Sequence, residues 1–326
     1  MLLPGGRGRP DPGEGAPPVV NAGSKIHPYA DYGGSFFLVR LRRMKTVTII
    51  GGGQTGRAFG KLLSRTGFEL RSVVCRSLQH AEEAVAFIGA GTPALSPENA
   101  DLILLAVPDD QIEGVSSHLK GLSGSIVIHL CGALSVDILE SAKRAGARVG
   151  ALHPLRSFSD PEAAADSFVG TYCAVEGEPL EELEALVEKI GGIPLRLETG
   201  GKILYHAGAV FASNYLVTLL DASRKLLEKA GIPKSESLGP ALSLAKGTLR
   251  NIERIGIPGA LSGPVERGDV GTLQKHWEEI QSRMPEFTVG YRELALKTVE
   301  VALEKGSVSG GRAKVMQDLF RTGDVE

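Results

Sequence analysis

At 326 residues the chain is longer than one compact core usually holds, and two domains are expected. Lys and Arg number 36 against 38 Asp and Glu, a net charge of −2, so no basic surplus exists to neutralise a phosphate backbone and a nucleic-acid partner is not expected. Hydrophobic residues at 42 % and charged residues at 23 % exclude wholesale disorder. The three scattered cysteines, Cys75, Cys131 and Cys173, suit a reducing, cytoplasmic setting better than a disulfide framework.

Residues 1–43 differ in composition from all that follows. From Pro4 to Pro18 the chain is mostly Gly, Pro and charge with no period, and an extension too polar to offset its ordering entropy is expected to be disordered. Phe36, Phe37, Leu38 and Val39 are apolar, but the run is too short for a signal segment or a membrane span. The functional chain is expected to begin at Met44, directly before the first strand.

Residues 45–50 (KTVTII) read as a strand. Gly51-Gly52-Gly53-Gln54-Thr55-Gly56 follows at once, and apolar residues at helical spacing come next. In this context G-x-G-x-x-G indicates a dinucleotide site. Gly51 permits the turn, Gly53 lets a diphosphate approach the backbone, and Gly56 lets helix and strand pack closely. Gln54 and Thr55 lie on the same turn, where amide groups at the helix start attract an anion. The second strand, 69–74, ends at Cys75-Arg76-Ser77. An NAD site would place a carboxylate there; Arg76 and Ser77 suit a 2′-phosphate instead, so NADP(H) is the expected cofactor.

Further strands are expected at 101–107, 125–130, 148–152, 172–176 and 193–197, with helical stretches between them, one at 180–190. This rhythm predicts an α/β fold: a doubly wound, parallel Rossmann sheet over residues 44–198, followed by an all-α domain over 199–326. Ligands of such sheets bind beyond the carboxyl ends of the strands. The loops bearing Val107 and Pro108, His129 to Gly132, and His153 to Arg156 should therefore converge on one crevice.

Residues 202–229 read as one long helix, apolar enough to approach a membrane span but interrupted by Tyr205, His206, Ser213 and Asn214. A core helix buried nearly all round is the expectation. Lys202, His206 and Ser213 share a narrow sector of it, and Asn214 points to an adjoining face. Lys202 is either wetted at the helix start or held where this face closes over the nicotinamide end of the dinucleotide. Helices are expected at 238–255, 272–283, 285–304 and 312–320. Seven scattered histidines with no H-x-x-x-H pair predict no metal site.

A Rossmann half followed by a helical half resembles the superfamily of 6-phosphogluconate dehydrogenase, 3-hydroxyacid dehydrogenases, ketopantoate reductase and pyrroline-5-carboxylate reductase. Three segments resemble more closely the Rossmann-like plus DUF2520 proteins: His129-Leu130-Cys131-Gly132-Ala133-Leu134-Ser135, His153-Pro154-Leu155-Arg156-Ser157-Phe158, and residues 205–215, which read YHAGAVFASNY. The resemblance implies an NADP-type cofactor, reductase activity, and a homodimer formed through the helical half. Hydroxyacid-dehydrogenase relatives carry Lys, three residues, then Asn on the long helix. This chain has Lys202, three residues, then His206, so only the Lys role carries over.

The expected activity is NADPH-dependent reduction of a small 2-oxo acid, ketopantoate-like as first candidate. Lys202 would stabilise charge on the reacting oxygen, and His206 and His153 compete as proton donor. Arg156 would grip a substrate carboxylate or form a surface salt bridge, with Ser213 and Asn214 on the same helical region as further substrate contacts. A cyclic-imine reductase and a non-catalytic NADP-binding protein are the alternatives. The partner is a small molecule, with no membrane association expected.

Overall fold

The computed structural model describes residues 44–198 and 200–321, which form two compact units, 44–218 and 219–321. The disordered extension expected over residues 1–43 lies outside the described residues.

The first unit is built on an eight-stranded sheet in the order β3-β2-β1-β4-β5-β6-β7-β8. Its strands are β1 (Thr46–Ile50), β2 (Glu69–Val74), β3 (Thr92–Ala94), β4 (Leu102–Leu105), β5 (Ile126–His129), β6 (Arg148–Pro154), β7 (Tyr172–Gly177) and β8 (Ile193–Arg196). The central strands are near-continuous apolar runs because both faces are covered: Leu102 to Leu105 are all buried, as are Ile126 to Ile128. Helices α1 (Gln54–Arg65), α2 (Leu78–Ile88), α3 (Ile112–His118), α4 (Glu140–Arg144), α5 (Pro161–Asp166) and α6 (Leu180–Lys189) connect them. Two clusters make up the core, one including Ile49, Phe59 and Leu104, the other Ile103, Leu105 and Ile112.

Two features depart from the sequence reading of this unit. The sheet is not wholly parallel, because β7 runs antiparallel to β6, with His153 opposite Ala174. A parallel return needs a crossover long enough to run back along the strand. The only helix between β6 and β7 is α5, of six residues, spanning about 9 Å, against about 23 Å for the seven-residue β6. Strand β3 was not anticipated at all. It has three residues with Pro93 at its centre, a composition that sheets accept only at an edge.

The long helix is two helices. α7 (Lys202–Ala212) ends at Ser213, whose φ of −117° and ψ of −71° depart from regular helix values, and α8 (Asn214–Lys229) follows. The expectation of burial all round is also overturned. By length and composition 202–229 would suffice to cross a membrane, yet no residue of its most apolar window is buried. Leu204 is 79 % exposed and Phe211 70 %. Apolar character in sequence identifies a surface that avoids water, not the surface that covers it.

The second unit comprises the rest of α8 with α9 (Leu238–Ala260), α10 (Val270–Arg283), α11 (Thr288–Lys305) and α12 (Gly310–Arg321). Gly256 at φ +75° interrupts α9, close to where the sequence reading ends that helix. Asp269 caps α10 by accepting the Thr272 amide at 3.1 Å. The core gathers Leu273, Trp277, Val299, Met316 and Phe320, with Trp277 edge-on to Phe320.

Candidate functional site

Each glycine of the loop after β1 has a distinct environment. Gly51 has φ +111°, and a Cβ there would lie 2.2 Å from the Ala106 carbonyl oxygen. A Cβ on Gly56 would lie 1.9 Å from the Gly51 oxygen, so strand turn and helix can meet only without it. Gly53 is the opposite case: a Cβ would have no atom within 4 Å. Gly53 is also the N-cap of α1 and offers no side-chain acceptor to the first amides of that helix. Unsatisfied amides facing open space are what a diphosphate requires, and the loop fits the group its spacing anticipates.

Around the loop lies a cleft of about 960 Å³ bounded by Gly51 to Gly53, Arg57, Arg76, His80, Val107 and Pro108. Arg76 is exposed at its rim. Ser77 uses its hydroxyl to cap α2, accepting the His80 amide at 3.3 Å. Gln54 turns its amide towards the carbonyls of Phe158 and Ser159, and Thr55 is half-buried in the first turn. Arg57, which sequence reasoning missed, donates to the Gly52 carbonyl at 2.9 Å and places a cation beside the loop. Its signal in the sequence was only a basic residue one turn into α1.

At the carboxyl ends of β5 and β6 the same unit holds a second polar region. Lys202, at the start of α7, is 5 % exposed. Its ammonium lies 3.6 Å from a Glu176 carboxylate oxygen, an ion pair too long for a hydrogen bond, and is buried with no hydrogen-bond partner. Burial pulls its pKa below the usual lysine range, opposed chiefly by Glu176. The other Glu176 oxygen accepts the Val136 amide at 3.0 Å and the Ser135 hydroxyl at 3.3 Å. Burying an ammonium beyond hydrogen-bond reach of its carboxylate is costly, which marks Lys202 as a candidate for contact with substrate.

The histidines are grouped as well. His153 and His206 lie with ring centroids 5.9 Å apart, and a Cβ on Gly132 would fall 2.7 Å from both His153 Nε2 and His206 Nδ1. Burial, with smaller contributions from His206 and Lys202, pushes the His153 pKa down to about 4. His206 Nδ1 is buried without a partner. His129, fully buried at the end of β5, accepts the Cys131 amide on Nδ1 at 3.2 Å, and burial drives its pKa down to about 3. Cys131 in turn donates its thiol to Asp109 at 2.9 Å and receives the Ala133 and Leu134 amides. Burial and Asp109 both raise that thiol's pKa.

The structure thus brings Lys202, His206 and His153 together and adds His129, Cys131, Asp109, Glu176 and Tyr205. His129 and Cys131 stood in a segment that the sequence reading quoted without giving them a role. Arg156 is used otherwise: its terminal nitrogens bond Ser167 and the Thr171 hydroxyl, tying the loop after β6 to the start of β7. Its Nε is buried without a partner. Ser213 and Asn214 are exposed at the break between α7 and α8. Among the described residues no group of three metal-ligating side chains is assembled.

The model of the Rossmann-like domain matches residues 35–154, and that of the domain of unknown function DUF2520 matches residues 171–298. Among solved structures, protein TM1727 from Thermotoga maritima is similar at 27 % identity and TM-score 0.66, over 80 % of this chain and 99 % of that one. A 1-pyrroline-5-carboxylate reductase from Streptococcus pyogenes shares the fold at 19 % identity and TM-score 0.56, over 81 % of this chain and 99 % of that one. A reductive aminase from Aspergillus terreus, solved with NADPH and ethyl-5-oxohexanoate, shares it at 16 % identity and TM-score 0.51, over 86 % and 93 %. No curated protein matches the chain. The chain thus belongs with the proteins that join a Rossmann-like domain to a DUF2520 domain.

Proposed function

We propose that the chain is an oxidoreductase transferring a hydride between NADP(H) and a small carboxylic acid that bears a C=O or C=N group. The observation that carries this reading is one unit holding both a glycine cradle open over Gly53 and a buried polar cluster in which Lys202 and His206 have orphaned atoms. The bound cofactor supplies the hydride; the protein's part is to hold the acceptor and manage its charge. The free amides of α1 would receive the diphosphate, and Arg76 with Ser77 would hold the 2′-phosphate. Lys202 supplies positive potential in a dry site, where it counts for far more than in water.

Two substrate classes follow. A ketopantoate-like 2-oxo acid would develop negative charge on oxygen, which Lys202 stabilises while His206 gives the proton. A cyclic imine acid is supported by the pyrroline-5-carboxylate reductase and reductive aminase among the similar folds. The test is NADPH oxidation against a panel of both, together with dissociation constants for NADPH and NADH. Wild type is expected to bind NADPH at least ~10-fold more tightly than NADH, about 1.4 kcal/mol, and Arg76→Ala to remove most of that difference. Equal wild-type affinities would sink the NADP assignment. NADPH binding without turnover of any acceptor would leave the non-catalytic alternative.

We further propose that a second copy of the chain covers α7 and α8, whose Leu204, Phe211 and Val217 are each more than two-thirds exposed. Large apolar side chains left exposed along two successive helices mark an interface. Sedimentation is expected to give a homodimer, and Val217→Glu to shift it towards monomer. A wild-type monomer at micromolar concentration would remove the proposal.

A further inference from the structure

Tyr205 projects from α7 against β6 and makes two contacts with one residue. Its hydroxyl lies 3.1 Å from His153 Nδ1 and 3.1 Å from the His153 carbonyl oxygen. A phenol has a single proton, and a carbonyl oxygen can only accept. If that proton went to Nδ1, two oxygens would face each other at 3.1 Å with nothing between them, a repulsive contact in a half-buried place. The proton therefore goes to the carbonyl, the phenol oxygen accepts from Nδ1–H, and Nε2 keeps its lone pair. The rings meet edge to face at 87°, which holds the imidazole plane as well.

Nε2 is the atom that faces Gly132, across from His206 Nδ1. Only glycine leaves room there, since a Cβ would sit 2.7 Å from both nitrogens. Lys202 and Asp109 both act on His153 across this space, the ammonium more strongly than the carboxylate.

We propose that Tyr205 is a positioning residue: its hydroxyl fixes His153 as the Nδ1–H tautomer, so that Nε2 is a standing hydrogen-bond acceptor over Gly132 for a substrate that brings its own N–H. This rests on the reductase reading and chooses within it, in favour of a protonated imine over a carbonyl. The proton balance agrees. Hydride arriving at the carbon of C=N–H⁺ leaves a neutral amine that keeps its proton, whereas hydride arriving at C=O leaves an alkoxide that must be given one. His153 held in this tautomer has no proton on Nε2 to give, so a carbonyl would depend on His206 alone for it. Its pKa of about 4 keeps it neutral across the physiological range.

The test is ¹⁵N-histidine NMR on the full chain, with the His153 signals identified by their loss in His153→Gln, combined with kinetics. In wild type the His153 Nδ1 is expected to carry the proton and Nε2 to be bare between pH 6 and 8 (roughly the range in which a free histidine would titrate). Tyr205→Phe should release the tautomer to a mixture and lower kcat/KM for a cyclic imine acid at least ~10-fold, the lower range of a general acid–base group, with the NADPH dissociation constant unchanged. Wild type should reduce cyclic imines in preference to 2-oxo acids. A proton on Nε2 in wild type, an unchanged tautomer in Tyr205→Phe, or a preference for 2-oxo acids would each overturn the inference while leaving the reductase reading intact. Failure of that reading shows differently, as an absence of any NADPH complex by calorimetry.

Discussion

Gly56→Ala is expected to destabilise the chain by ~3 kcal/mol or more and to lose NADPH binding with it, whereas Gly53→Ala should keep its stability within about 0.5 kcal/mol and lose only affinity. The difference lies in what a methyl group would meet. On Gly56 it would sit 1.9 Å from the Gly51 oxygen, backbone that cannot swing aside, at the one point where the amino end of α1 rests on the turn. On Gly53, with φ −72° and open space around it, the same methyl is accommodated by the apo protein. It would occupy the path of the diphosphate, and an increase of ~10-fold or more in the NADPH dissociation constant is expected, about 1.4 kcal/mol. Thermal unfolding and calorimetry on both variants decide the matter. Equal stability losses, or unimpaired NADPH binding by Gly53→Ala, would show that the cradle does not hold the diphosphate.

Lys202→Ala is expected to lower kcat/KM by at least ~100-fold, the scale of removing one buried charge that holds the substrate's carboxylate or a developing oxyanion. NADPH binding should be retained, because Lys202 lies at the strand ends of β5 and β6 and outside the residues that bound the cleft. Loss of the ammonium leaves Glu176 with its bonds to Val136 and Ser135, which limits the damage that an unpaired buried carboxylate usually causes. Lys202→Met preserves the stem and separates charge from packing. Turnover near wild type in Lys202→Met would reject the electrostatic role.

The extent to which the sequence disclosed this molecule varied with the range of the interactions involved. The glycine loop was legible because its constraints are local: a turn, a close approach and an open position lie within six consecutive residues, and each glycine occupies the environment its spacing implies. The strand positions other than β3 were legible from their apolar runs. The reversal of β7 was not, because pairing direction depends on how the link after β6 returns, and no periodicity records that. Helical spacing placed Lys202 and His206 on one face, and the fold gathers them. The same spacing could not reveal Glu176 or Tyr205's hold on His153, since both join elements distant in sequence. Arg156 was read from its place near a strand end; its terminal nitrogens bond Ser167 and Thr171, contacts that no spacing records.

The reversal of β7 has an effect on the cofactor cradle. Because the chain turns back beside β6 instead of crossing the sheet, residues 155–171 stay at the end where the glycine loop lies. There α5 binds the far turns of α1, Glu162 with Lys61 and Asp166 with Arg65, the latter at 2.8 Å. The carbonyls of Phe158 and Ser159 meanwhile receive Gln54 at the near end. The helix that presents its amides to the diphosphate is thereby braced along its length by a segment that contributes nothing to the cradle itself. An anion site braced in advance spends little ordering entropy when it is filled. Affinity for the nucleotide can accordingly drift through changes in α5 while every glycine of the loop stays fixed.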